Sequence, residues 1–252
     1  MKPEEARWRE LGLWPLWVPK AALPATAPRR DGPAAPGEMP DRSPPVSAPT
    51  QELVSSAGWD ELQTLVSQCS RCSLHETRKQ AVFGVGNRQA RWLFVGEGPG
   101  AEEDQRGEPF VGAAGKLLDQ MLRAVGLNRA ENVYIANVVK CRPPQNRTPT
   151  DLECASCMPY LQRQIELVQP TLIVALGKVA AHALLGMDKP LGALRGQDHR
   201  FGQIPLVVTW HPAYLLRNPA DKAKTWEDLY RARQLMASLC TPRDGSADTA
   251  DT

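Results

Sequence analysis

The chain has 252 residues, 42% hydrophobic and 23% charged, with a formal net charge of +2, which suits one sizeable core with a small appendage. So balanced a charge excludes a global polybasic field, and any nucleic-acid contact must come from local patches. The opening MKPEEARWRE lacks the apolar run of a signal peptide, and the strand-sized run Leu172–Leu176 falls far short of a membrane span, which needs roughly 20 apolar residues. Six cysteines without a secretory signal point to a reducing, cytoplasmic setting, where clustered cysteines hold metal more often than they form disulfides.

In chain order, residues 1–19 form a short segment rich in Trp and Leu (Trp8, Leu11, Leu13, Trp14, Leu16, Trp17). It reads equally well as a docking motif for a protein partner, through residues 7–19, or as a helix packed back on the body. Residues 20–53 are crowded with Pro, Ala, Gly and Ser, a composition with too little apolar surface to offset ordering entropy, and read as a flexible linker. The body is expected over 54–240, followed by a frayed tail over 241–252.

The body alternates two patterns. Short β-rich runs occur at RWLFVG (91–96), VYIANVV (133–139), TLIVALG (171–177) and PLVVTW (205–210). Helical spacing links Leu117, Leu118, Met121, Leu122 and Val125, and again Leu161, Ile165 and Val168, the latter entered through Pro159 as a first-turn proline. Lys178–Leu185 and Trp226–Leu239 supply two more helices. Near-continuous apolar strands alternating with helices imply a parallel sheet covered on both faces.

Cys69 and Cys72 form CSRC after the helical pattern WDELQTLVSQ, Cys141 sits in KCRPP and Cys157 in CMPYL. Four thiolates are the set for tetrahedral zinc or an iron–sulfur cluster, and spacing does not choose between them. A redox CxxC should instead open a helix after a strand. Cys154 competes with Cys157 for the fourth place, and Cys240 near the tail reads as inert.

The segments just after the strands carry the chemistry. The first strand runs into GEGPG, the second into NVVKCRPPQNR, the third into GK and the fourth into WHP. In open α/β sheets ligands sit beyond the carboxyl ends of the strands, which places Glu97, Asn137 and His211 on one rim. Taken singly, each has an ordinary reading. Gly98 and Gly100 shape a turn, Phe110 fills a core, Glu102 and Glu103 open a helix in solvent, and a histidine at a strand end is more often structural. Their conjunction on one edge is far less ordinary. The loops carrying Lys140, Arg142, Arg147 and HPAYLLRN are candidates to grip phosphates.

The strings GEGPGAEEDQRGEPFVGAAGKLLD, NVVKCRPPQNR, CMPYLQRQI, ALGKVA and HPAYLLRNPADKAKTWEDL, in that order over roughly 59–239, make the chain similar to the family-four uracil-DNA glycosylases, the iron–sulfur branch of that superfamily. The resemblance implies a three-layer α/β/α fold with a four-stranded parallel sheet and hydrolysis of the N-glycosidic bond of uracil in DNA. It implies a 4Fe-4S cluster on Cys69, Cys72, Cys141 and Cys157, leaving Cys154 a bystander. It also implies that Glu97 and Gly98 line the uracil pocket, Phe110 stacks on the base, Asn137 reads its edge, His211 contacts the leaving uracil and Glu103 walls the pocket near C5. A related branch that links covalently to DNA carries a histidine in an arginine-rich insertion, and KCRPPQNRTPTDLEC has none. Trp210 stands where a smaller aromatic is expected. The expected partner is uracil-containing DNA and the expected state a monomer. Two alternatives stay open: a non-enzymatic nucleic-acid-binding module with a four-cysteine zinc site, and a glycosylase for another deaminated base.

Overall fold

The computed structural model describes residues 48–240. The Trp-rich segment, the linker up to residue 47 and the tail from 241 lie outside them. The last residues of the expected linker are helical, because α1 (Ala48–Ser56) begins before the expected boundary at 54. Val54 and Ala57 explain this: both are buried, and Arg163 donates from Nε to the Ala57 carbonyl at 2.7 Å. The polar and small composition of the residues just before Val54 concealed that anchor.

Helices α2 (Trp59–Ser67) and α3 (Leu74–Thr77) lead into a two-residue strand β1 (Val85–Gly86). Then come β2 (Trp92–Gly96), α4 (Ala101–Arg106), α5 (Ala113–Ala124) and β3 (Val133–Asn137). The second half holds α6 (Asp151–Val168), β4 (Leu172–Leu176), α7 (Lys178–Leu185), α8 (Leu191–Leu194), β5 (His199–Phe201), β6 (Ile204–Thr209), α9 (Pro212–Arg217) and α10 (Lys222–Cys240).

The fold is α/β, but the sheet is six-stranded and mixed, in the order β1-β3-β2-β4-β6-β5. This corrects the expected four-stranded parallel sheet. The anticipated strands pair in parallel at the centre, while β1 and β5 add antiparallel edges. Two residues, or the polar triplet His199–Phe201, are too short for alternation to register in the sequence. Every residue of β2, β3 and β4 is buried. Leu93, Val95, Tyr134, Ala136, Ile173 and Ala175 join one apolar cluster with side chains of α1, α2, α6 and α7. The alternate residues, including Phe94, Ile135 and Val174, point to the opposite face and are buried too, on the side where α10 meets β4 and β6. Helices therefore cover both faces. None among the described residues is long and apolar enough to cross a membrane.

Two helix starts differ from expectation. α6 begins at Asp151, so Pro159 lies in its interior. The start is fixed by a capping box in which Thr150 Oγ1 accepts from Glu153 N and Glu153 Oε2 accepts from Thr150 N. A proline at that depth costs about 3 kcal/mol of helix stability, offset by burial of Tyr160, Leu161 and Ile165. α10 likewise begins at Lys222, ahead of the expected Trp226.

Candidate active site

The carboxyl ends of the central strands open into one cleft of about 610 Å³, within the range of small-ligand sites. Glu97, Gly98, Glu103, Phe110, Asn137 and His211 all line it. The rim inferred from topology is thus brought together whole. β2 and β3 stay paired beyond their ends, Val138 N donating to Gly96 O at 3.0 Å and Val139 N to Glu97 O at 3.1 Å. That pairing fixes Glu97 beside Asn137. Burial raises the Glu97 carboxyl above the usual carboxylate range.

Asn137 ends β3 and is buried, and its Oδ1 has no hydrogen-bond partner among the described residues. Such an orphan acceptor costs about 1–3 kcal/mol unless something pairs with it. It is the signature of a position that waits for a donor.

His211 precedes α9 and caps it, its Nδ1 accepting from Ala213 N at 3.1 Å. An Nδ1 that accepts carries no proton, so in the neutral ring the proton sits on Nε2. Burial pushes the imidazole down to about 4, with help from Arg217 and against the pull of Glu103. The ring is therefore a neutral donor at pH 7. Gly177, at the end of β4, makes room for it: its φ is +89°, and a Cβ there would lie 2.9 Å from the His211 Cβ. The preceding residue is held from behind. Trp210 stacks on Tyr214 at 4.5 Å under the Arg195 guanidinium, and Arg195 and Thr209 both donate to Asp228.

Phe110 stacks on His211, with centroids 5.5 Å apart and planes 29° from parallel. Its own backbone is left-handed, φ 56°. Glu103 serves the same loop. Its carboxylate accepts from Gly100 N at 3.1 Å, Val111 N at 2.9 Å and Gly112 N at 3.0 Å, tying the start of α4 to the start of α5.

The phosphate-gripping candidates divide. Lys140 is buried and donates to Asn137 O at 2.8 Å and to Gln164 Oε1 at 2.5 Å, so it cannot reach a phosphate. Arg147 lines the cleft, but it is forked onto Glu153 at 2.7 and 2.8 Å. Arg217, at the end of α9, is exposed on the cleft wall.

Cys69, Cys72, Cys141 and Cys157 line a second, small hollow, Cys141 and Cys157 buried and Cys69 and Cys72 half-buried. Cys154 faces a different hollow with His182 and Met187. Arg78 Nη1 donates to Cys141 Sγ at 2.9 Å and Lys140 N to Cys157 Sγ at 3.3 Å. Arg71, also at the cavity, leaves its buried Nε and Nη1 without a hydrogen-bond partner among the described residues. Burial raises the Cys72 and Cys141 thiols and pushes Cys157 up to about 12. Donors aimed at sulfur and a cation without an anion are a setting for thiolates. No three His, Cys, Asp or Glu among the described residues are placed to hold a single metal ion.

Sequence reasoning misses two residues that serve the site. Lys140 reads there as a surface cation, and Arg129, on the loop between α5 and β3, stands in no motif. Neither periodicity nor spacing could find them, because each also serves backbone carbonyls, which carry no sequence signal.

With this geometry in place, comparison with known proteins is direct. The uracil DNA glycosylase superfamily matches residues 83–230, and the chain belongs to that superfamily. Within it, the chain is 44% identical over 177 residues to a type-4 uracil-DNA glycosylase of Pyrobaculum aerophilum, covering 67% of this chain and 90% of the relative. It is 45% identical over 185 residues to the type-4 uracil-DNA glycosylase of Thermotoga maritima, covering 70% and 96%. With that of Archaeoglobus fulgidus it shares 41% over 184 residues, covering 70% and 92%. The resemblance drawn from the motif strings is borne out.

Proposed function

We propose that the chain excises uracil from DNA by hydrolysing the N-glycosidic bond, in base excision repair. The observation that carries this is the cleft itself, which combines an aromatic face (Phe110), an unpaired amide (Asn137) and a neutral imidazole with its proton on Nε2 (His211). The relatives, named as uracil-DNA glycosylases, support the same reading.

A base inside a duplex is out of reach, so the nucleotide must be extruded at a cost of a few kcal/mol. Asn137 then offers the uracil edge an acceptor for N3–H and a donor for O4. Cytosine presents the reverse pattern and leaves buried groups unpaired, which is the source of selectivity. The C1′–N1 bond breaks with its electron pair going to the uracil ring, leaving an oxocarbenium-like sugar. His211 donates from Nε2 to O2, a hydrogen bond that strengthens as the anion forms. Water adds to C1′ and loses a proton. Glu97, with its raised carboxyl at the same rim, is positioned to receive it. Glu103 supplies a wall whose carboxylate is immobilised by backbone N–H groups, against which the thymine methyl would press.

Cys69, Cys72, Cys141 and Cys157 would hold a 4Fe-4S cluster. These four cysteines line one hollow, where the Arg78 guanidinium, the Lys140 backbone N–H and the Arg71 cation beside them favour thiolates. When bound, the cluster would clip the segment after α2 to β3 and α6, a structural service. The expected partner is uracil-containing DNA.

The direct test is alkali-labile cleavage of oligonucleotides carrying uracil, thymine, hypoxanthine or xanthine. Cleavage at uracil alone supports the assignment, and preference for hypoxanthine or xanthine would move the chain to another base.

A further inference from the structure

We infer that Arg129 is a positioning residue for excision, acting through the backbone of Phe110. The inference deepens the proposed function and rests on it. Arg129 lies on the loop between α5 and β3, outside the cleft, and is only partly exposed. Its guanidinium donates from Nη1 to Pro109 O and from Nη2 to Phe110 O, both at 2.8 Å. Nε donates to Asp119 on α5 at 2.9 Å, and Glu108 lies 3.8 Å away. One planar fork therefore grips two consecutive carbonyls while a carboxylate on the adjacent helix fixes its angle. A lysine could not reproduce that fork.

Phe110 needs such a grip. A phenylalanine at φ 56° is in a region that a bulky residue rarely adopts and that persists only where its surroundings over-determine it. Two features do so. Gly115 of α5 lies so close that a Cβ there would overlap the Phe110 carbonyl, and Arg129 pulls on that same oxygen. The left-handed turn presents the ring to the cleft, stacked against His211. If the carbonyl were released, the backbone could relax to negative φ and swing the ring off the position where the base stacks. Arg129 does not itself line the cleft, and its hydrogen bonds go to neither Asn137 nor His211.

A double-mutant cycle decides the matter on the full-length protein. Single-turnover excision from a uracil oligonucleotide and inhibition by free uracil are measured for wild type, Arg129→Met, Phe110→Ala and the double variant, with affinity for abasic-site DNA as control. Arg129→Met should lower the excision rate and weaken uracil inhibition each by about ten-fold or more. Abasic-site affinity should stay unchanged, because no base is stacked there. In the Phe110→Ala background the same substitution should add almost nothing. Arg129→Lys, which can keep the Asp119 pair but not the fork, should resemble Arg129→Met, and it carries the test if the methionine variant fails to fold. Additive losses, uracil inhibition at the wild-type level, or unfolding of both variants would overturn the inference in favour of a general structural brace. A wild-type protein that releases no uracil would instead sink the functional reading, a distinct result.

Discussion

His211 is the residue whose state decides the chemistry. Its Nδ1 is tied to the start of α9 and burial holds its pKa near 4, against an ordinary value of about 6.5. The neutral form therefore persists well below pH 6. Single-turnover excision should run flat through pH 6–7, without a histidine-type inflection, and fall on the His211 limb only as pH approaches 4, where protonation makes the ring cationic. A steep loss centred near 6.5 would make it an ordinary solvated base. Glu103 gives a second residue-scale expectation. Three part-buried backbone N–H groups depend on its carboxylate, and leaving such donors unpaired costs stability. Glu103→Ala should lower the melting temperature and also relax thymine rejection. Rejection unchanged in a destabilised but active variant would assign the methyl-facing wall to another side chain.

At the scale of elements, the sequence disclosed the central strands because each is a run of apolar residues buried on both faces, with chemistry at its carboxyl end. The rim of Glu97, Asn137 and His211 came from topology. The elements that escaped had no such signal. β1 and β5 are too short to alternate, α1 is anchored by two small buried residues, and the start of α6 is set by the Thr150–Glu153 box well ahead of its main apolar face. Arg129 acts on two carbonyls about twenty residues away, and Lys140 on the distant Gln164 side chain, partners brought near only by the fold. The cysteines test the elements directly. Cys157 lines the cysteine hollow and Cys154, on the same helix, lines a different one. Cys157→Ala should lose iron and visible absorbance, whereas Cys154→Ala should keep both. The reverse pattern would exchange the two assignments.

For the whole molecule, a net charge of +2 means that DNA affinity cannot come from a broad basic surface. Lys140 is buried, Arg147 is paired with Glu153 and Lys178 with Asp188, which leaves the exposed Arg217 beside the cleft. Few phosphate contacts imply a shallow salt dependence, each contributing a slope of about 0.7 on single strands. Arg217→Gln should flatten the plot of log K against log salt by about one such contact while leaving the preference for uracil over thymine intact. An unchanged slope would place the phosphate contacts elsewhere on the surface.

The central claim, that a neutral His211 stabilises departing uracil in this cleft, is tested most directly by single-turnover excision with His211→Ala on a uracil oligonucleotide, alongside its affinity for the same DNA. Loss of one such donor should lower the rate on the order of 10²–10³, with DNA affinity nearly unchanged, because the hydrogen bond strengthens only as charge develops on the base. A near-normal rate, or a defect confined to DNA affinity, would contradict it.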